Sequence, residues 1–133
     1  MTSARVDVAT RGFEAFNRRD LETVLGLLAD DVVTIVSPSL ANAGTYRGHD
    51  GFTEMISAWD EAWEEFQVEP KDVIEKAGLV IVAARQSGRG RGSGIDVEMD
   101  TAFMFRVEDG LIGAMWVCDG VEEALAFARG GGS

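Results

Sequence analysis

Only one side chain in this sequence titrates near neutral pH in its unperturbed form. It is His49, in the segment YRGHDGF. An imidazole pKa of about 6.5 suits a general acid or base, so His49 is a candidate proton carrier. The residue also lies just before a predicted helix, where a histidine in a turn commonly bonds only to the backbone. We favour this structural role for His49 and keep the catalytic one as the alternative.

Three carboxylates alternate with other residues in the segment IDVEMD. Successive side chains of a β-strand point to opposite faces, so Asp96, Glu98 and Asp100 share one face. The opposite face carries Ile95, Val97, Met99, Thr101, Phe103 and Phe105. Because this second face is mostly apolar, we predict that it is buried and that the three acids are exposed. A β-bulge in this strand would reverse part of the assignment.

Aromatic side chains and one arginine are candidates for ligand contact. The aromatic candidates are Tyr46, Trp59, Trp63 and Trp116. They can form a wall for a flat apolar ligand, although Trp59 and Trp63 fit a helical stripe and are expected mainly in the core or at an interface. Arg85 is expected to pair with Asp100 or Asp119 across the sheet. That pair would anchor a ligand only if it lay in a cavity.

The glycine-rich stretch GRGRGSG, residues 88–94, has more than one interpretation. Glycine-rich loops that bind phosphate stand between a strand and a helix, whose N-terminus faces the anion. Here the pattern predicts a strand on either side, so the glycines supply the positive φ angles of a hairpin connection. We predict a flexible hairpin. Contact of Arg89 and Arg91 with an anionic ligand is the secondary interpretation.

The charge of the chain excludes one large class of partners. The 133 residues include 23 acidic and 12 basic ones, which gives a formal net charge of −11. Proteins that bind nucleic acids need a basic surface, so we predict no nucleic-acid partner. The sequence contains no run of about eighteen apolar residues, which predicts no membrane span and no membrane partner. The N-terminus lacks the apolar core of a secretory signal.

The single cysteine and the single histidine indicate where the protein is located in the cell and whether it binds a metal. Cys118 stands alone and forms no internal disulfide, which fits a reducing cytoplasm. One histidine and one cysteine give no cluster with metal-ligand spacing, and we predict neither a metal nor another cofactor. The length suits one domain, residues 1–133, with flexible ends at 1–4 and 129–133.

Helical periodicity dominates the first half of the chain. Apolar residues at helical spacing predict helices over 6–16 and 21–28, the second of them capped by Asp20. A third helix is predicted from Asp50 to residue 66, with an apolar stripe that includes the two tryptophans.

Strand periodicity dominates the second half. The predicted strands are 32–37, 45–48 and four segments between residues 67 and 119. A short last helix is predicted over 121–129, where Asp119 and Glu122 have the spacing of a capping box.

Four segments resemble the SnoaL-like branch of the nuclear transport factor 2-like superfamily. They are AFNRRDLETVLGLLADDVV, YRGHDGFTEMI, FRVEDGLIGAMWVCD and EEALAFA, and the resemblance extends over roughly residues 5–128. It implies an α+β fold, a cone-shaped curved mixed β-sheet of about six strands wrapped around three N-terminal helices, with a short C-terminal helix. The open end of the cone would be a mostly apolar pocket. Homodimers are common among such proteins, so we expect a homodimer.

The resemblance leaves the activity open, because its members include isomerases, cyclases, epoxide hydrolases, dehydratases and non-catalytic binding proteins. The ketosteroid isomerases use a tyrosine and two acids. In this chain the resemblance places the tyrosine position on Gly12, the base on Ser37 or, with a loop one residue longer, on Val36, and the second acid on Thr101. The epoxide-hydrolase pattern has Arg85 without its aspartate and Val117 near its last-strand position. Neither catalytic set is complete.

The cyclases of the family use an acid in the pocket, a role that the resemblance gives to Asp119 or Asp100. With His49, these are the candidate catalytic residues. The candidate ligand contacts are Tyr46, Trp59, Arg85, Thr101, Phe103, Met115 and Val117. The first predicted function is a hydrophobic pocket that binds a small apolar metabolite. The second is an acid–base enzyme, of isomerase, cyclase or dehydratase type, for a polyketide-, steroid- or terpene-like carbonyl compound. The incomplete catalytic sets favour binding slightly.

Overall fold

The structure is a computed structural model that describes residues 3–40, 43–76 and 78–129. Of the ends predicted to be flexible, residues 1–2 and 130–133 lie outside these ranges. Ser3 caps the first helix, and Arg129 is the last residue of the final one. Among the described residues, no helix is long and apolar enough to cross a membrane.

Two capped helices open the fold, α1 (Ala4–Asn17) and α2 (Leu21–Gly26). The Ser3 hydroxyl accepts a hydrogen bond from a first-turn amide at 3.1 Å, and the Asp20 carboxylate accepts one from the amide of Thr23 at 3.2 Å. A side-chain oxygen in this place satisfies an amide that the first helical turn leaves unpaired. The predicted cap at Asp20 is confirmed.

The second helix ends two residues earlier than its apolar spacing predicts. Leu28 does not continue the helix but begins strand β1 (Leu28–Val36). The amide of Ile112 donates to the carbonyl of Leu27 at 2.8 Å, and Leu28 stands in register with Ile112. Pairing with a distant strand therefore overrides the helical spacing of this segment.

The third helix, α3 (Gly48–Ala62), begins before its predicted cap. Asp50 lies in the first turn, and Arg47 occupies the N-cap position without a side-chain hydrogen bond. Gly48 has a φ of +70°, a left-handed conformation that glycine adopts without strain, and it turns the chain into the helix. At the other end, Trp63 leaves the predicted helical stripe and starts a strand.

Six strands form one mixed sheet. After β1 come β2 (Gly44–Arg47), β3 (Trp63–Lys76), β4 (Leu79–Gly90), β5 (Asp96–Glu108) and β6 (Leu111–Cys118). Their order across the sheet is β2-β1-β6-β5-β4-β3. Strands β1 and β6 run parallel, and the other neighbouring pairs of described strands run antiparallel. The predicted α+β fold with a curved mixed sheet is confirmed.

Both faces of the sheet are covered, by different helices. On the inner face, the ring of Phe13 from α1 packs edge to face on Phe103 and Phe105, with centroid distances of 5.2 and 5.7 Å. On the outer face, the short last helix α4 (Val121–Arg129) packs on a second apolar cluster that includes Met104 and Trp116. Alternation along β5 thus supplies apolar side chains to two cores.

The first half of β5 departs from the prediction of a buried inner face. Its second half is buried, but Ile95, Val97 and Met99 are 62, 37 and 39 % exposed. Strand β6 pairs with β5 only from Ala102 onward, so the hairpin of β4 and β5 projects past the end of β6. The three acids on the opposite face of this segment are exposed, as predicted.

A hairpin connects β4 to β5 at the GRGRGSG stretch, as predicted, but the first three residues of the stretch still belong to β4 and the connection itself is residues 91–95. Gly92 and Gly94 have φ angles of +86° and +69°, and the amide of Gly94 donates to the carbonyl of Gly90 at 2.9 Å. The side chain of Arg89 bonds to a carboxylate of β5, and that of Arg91 bonds to a backbone carbonyl of α3. Both arginines are therefore engaged by the protein itself.

Two glycine-to-alanine substitutions should have opposite effects on stability, because one glycine has a positive φ and the other lies in a helix. We expect Gly92→Ala to lower the free energy of unfolding by about 1 kcal/mol, because alanine is strained at a positive φ. Gly12→Ala, in the interior of α1, should raise it by up to about 1 kcal/mol, because alanine is the better helix former. A methyl group on Gly12 meets no atom within 4 Å. Urea denaturation measures both changes, and shifts of the same sign would contradict the assignment.

Candidate functional site

An apolar cavity of about 60 Å³ lies between the helices and the inner face of the sheet. Residues of α1, α2 and α3 form one side of its wall, and residues of β3, β5 and β6 form most of the other. The wall residues are alanine, glycine, valine, leucine, isoleucine, methionine, phenylalanine and one tryptophan. No residue of this wall carries an ionisable side chain.

The predicted ligand contacts are divided between the cavity and its surroundings. Trp59, Phe103 and Met115 line the cavity. Val117 lies on the same inner face but is buried within the core cluster, and Tyr46 on β2 is partly buried against that cluster. The other two predicted contacts lie in a surface groove described below. The sequence thus named three of the wall residues as ligand contacts, and the rest of the wall comes from both the helices and the strands.

Gly12 leaves a gap in the helical side of the wall. It lines the cavity and is partly exposed, and a methyl group placed on it would meet no atom within 4 Å. The isomerase tyrosine would occupy this position according to the sequence resemblance. With glycine here, the space that a side chain would occupy stays open.

His49 lies outside the cavity wall. It belongs to the first turn of α3, and its Nε2 atom is 3.0 Å from the carbonyl oxygen of Leu28. A carbonyl oxygen only accepts, so Nε2 must carry the proton and donate it. The bond ties the start of α3 to the start of β1, which agrees with the structural role favoured from the sequence.

Four predicted polar site residues meet in an open groove of about 400 Å³ where β6 ends and α4 begins. They are Arg85, Asp100, Thr101 and Asp119. The Nε atom of Arg85 donates to Oδ1 of Asp100 at 3.1 Å, and this bond, with the negative charges of Asp100 and Glu98, raises the pKa of the guanidinium. The side chain of Asp100 is 77 % exposed. The groove therefore lacks the burial that usually tunes a catalytic carboxylate.

Comparison with known proteins assigns the family. A model of the SnoaL-like domain matches residues 9–115. The chain belongs to the SnoaL-like family. A comparison with curated protein sequences gave no match.

Solved structures share the fold of this SnoaL-like chain at low sequence identity. An NTF2-like protein of unknown function from Burkholderia pseudomallei K96243 has a TM-score of 0.81 at 23% identity, over 94% of this chain and 97% of the other. TerC, co-crystallised with polyporic acid, has a TM-score of 0.80 at 20% identity, over 96% and 97%. A protein named as a polyketide cyclase from Xanthomonas campestris pv. campestris has 0.76 at 21%, over 93% and 98%. At these identities the likeness establishes the fold alone.

In this SnoaL-like chain Ser37, which the resemblance places at the isomerase base position, bonds to helix α4. Ser37 is 1 % exposed, and its hydroxyl donates to one carboxylate oxygen of Glu123 at 3.1 Å. The other oxygen of Glu123 accepts from the amide of Asp119 at 3.0 Å. The predicted pairing of Asp119 with Glu122 is therefore wrong, because Glu123, the third residue of α4, is the one that reaches back to the amide of Asp119. The sequence signal for this bond was the four-residue spacing between Asp119 and Glu123.

Cys118 lies close to the same carboxylate and is fully buried. Burial, and then the charge of Glu123, raise the pKa of its thiol from 9.0 to about 12. Because the thiolate is the reactive form, this cysteine is not a nucleophile at neutral pH. Its role in this SnoaL-like protein is packing beneath α4.

Removal of this thiol should remove part of the alkaline pH dependence of stability. The folded-state pKa of Cys118 is raised to about 12 from an ordinary 9.0. Its stabilising contribution is therefore complete below pH 9 and is lost as the pH rises toward 12. Between pH 7.5 and pH 10, we expect the native chain to lose about 1 kcal/mol more than Cys118→Ala. Urea denaturation at the two pH values measures this difference, and equal losses would contradict it.

Proposed function

We propose that this SnoaL-like protein binds a small apolar molecule in the cavity and does not catalyse a reaction there. The observation that carries the proposal is the composition of the wall, in which no side chain is ionisable. General acid–base catalysis needs a proton carrier within about 3 Å of the reacting atom. The candidate carriers His49, Asp100 and Asp119 all lie outside that wall.

The size of the cavity limits the ligand. Its volume of about 60 Å³ is less than half of the roughly 150 Å³ of an engineered cavity that binds benzene. A ligand of that size therefore requires the wall to adapt. Met55 and Met115 supply the necessary freedom, because an unbranched thioether side chain changes its rotamer readily. Gly12 leaves further room beside the wall, because a methyl group placed on it would meet no atom within 4 Å.

The solved relatives support a small organic ligand without identifying it. TerC was co-crystallised with polyporic acid, which supports ligand binding by this fold. Other relatives are named as polyketide cyclases, so an acid–base enzyme for a carbonyl substrate is the competing function. That function would have to use the groove around Arg85 and Asp100, where the carboxylates lie.

Filling the cavity from Gly12 tests the proposal. A leucine at this position would place its isobutyl group in the cavity, whereas an alanine would add only one methyl group. We expect xenon and toluene to shift the NMR resonances of cavity residues in the native chain and in Gly12→Ala. Gly12→Leu should bind both probes at least about tenfold more weakly, because it occupies their volume. Absence of binding to the native chain, or undiminished binding to Gly12→Leu, would refute the proposal.

The groove supplies a control and a test of the competing function. Asp100→Asn and Asp119→Asn should leave the binding of xenon and toluene unchanged, because both residues lie outside the cavity wall. The enzyme hypothesis instead predicts faster hydrogen–deuterium exchange next to the carbonyl of small cyclic ketones. Protein-accelerated exchange that disappears in either variant would replace the binding proposal.

We extend the proposal to a cytoplasmic homodimer, as the family resemblance and the single cysteine suggest. The outer face of the sheet is partly occupied by α4, so a dimer would have to use the remaining surface. Light scattering should give twice the chain mass of 14.3 kDa. A mass equal to one chain at micromolar concentration would reject the dimer and leave the cavity proposal intact.

A further inference from the structure

The inner face of the sheet holds a buried hydroxyl that has no partner in the described part of the chain. Thr34 is 0 % exposed, and its Oγ1 atom makes no hydrogen bond. Buried polar side chains are almost always hydrogen-bonded, because burial removes their bonds to water. The other buried hydroxyls are satisfied, since Ser37 bonds to Glu123 and Thr101 accepts from Gln86. The exception at Thr34 therefore requires a physical reason.

Thr34 lies next to the cavity. In β1 it stands in register with Met115 of β6, and side chains in register on neighbouring strands share one face about 5 Å apart. Met115 lines the cavity. Thr34 is therefore one residue behind the wall, on the face of the sheet that the cavity occupies.

Met115, the neighbour of Thr34 in β6, has a flexible side chain. Methionine is unbranched and has three rotatable side-chain bonds, so it adapts to a new occupant more easily than a β-branched residue does. A rotamer change of Met115 would join the hydroxyl of Thr34 to the cavity. The same change would enlarge the cavity, which a ligand with a ring requires.

We propose that Thr34 is the polar anchor of the ligand site, an inference that rests on the proposed function. The ligand is then a small, neutral, mostly apolar molecule with one hydroxyl or carbonyl oxygen. A threonine hydroxyl both donates and accepts, so it serves either group. A charged ligand does not fit, because no wall residue carries an opposite charge and an unpaired buried charge is strongly unfavourable.

Toluene and phenol form a matched pair of probes, because they differ by a methyl group in place of a hydroxyl group. Thr34→Val removes the hydroxyl with little change of shape, and Thr34→Ser retains it. In NMR titrations, we expect Thr34→Val to bind phenol about fivefold more weakly than the native chain, the loss of one hydrogen bond. Its affinity for toluene should not fall, and Thr34→Ser should retain the binding of phenol.

Thermal unfolding without a ligand gives a second, independent readout. Thr34→Val should have a higher midpoint temperature than the native chain, because it removes an unpaired buried hydroxyl. A lower midpoint would mean that the hydroxyl already has a partner, and this would overturn the inference.

The two proposals fail in different ways. If both probes bind the native chain and Thr34→Val weakens them equally or not at all, the anchor is wrong and the apolar binding site stands. If neither probe binds the native chain, the proposed binding site is wrong, and the proposed role of Thr34 is wrong with it. If phenol binding is lost in Thr34→Ser as well as in Thr34→Val, the hydroxyl is not the cause, and the inference is overturned.

Discussion

The contact between the first helix and the middle of the sheet determines both how α1 is held and what lines the cavity. The ring of Phe13 packs edge to face on Phe103 and Phe105, a geometry that places the positive edge of one ring on the negative face of another. All three rings also line the cavity. The interaction that holds α1 on the sheet therefore also makes the cavity apolar, so the stability of the fold and the apolar character of the cavity have a common origin.

The charged side chains of β5 point away from this core, because successive side chains of a strand point to opposite faces of the sheet. Its acids lie on the face opposite to Phe103, where Arg85 and Arg89 pair with them in solvent. Farther along the outer face, α4 is held by Glu123, whose carboxylate accepts from Ser37. These polar contacts connect strands and helices to one another. All of them lie outside the cavity wall.

Members of one fold family differ in the side chains that enter the cone. The sequence resemblance places the isomerase tyrosine at Gly12 and the isomerase base at Ser37 or Val36. In this chain Gly12 has no side chain to fill that space, and Ser37 bonds to Glu123 of α4. What remains is a small apolar space and, beside its wall, the buried hydroxyl of Thr34, which has no hydrogen-bond partner among the described residues. Such a combination suits recognition of a neutral molecule better than movement of a proton.

The sequence by itself determined the features that depend on residues close together in the chain. The cap at Asp20, the hairpin at 88–94 and the exposure of the acids of β5 follow from local side-chain chemistry and strand alternation, and the family motifs carried the fold. Only the tertiary structure decided that Leu28 begins a strand, because its partner strand comes from the far end of the chain. It also decided that Asp100 faces a surface groove and that Thr34 is buried with no hydrogen-bond partner in the part of the chain that the structure describes. Those outcomes depend on where distant strands pair and end, which no local pattern encodes.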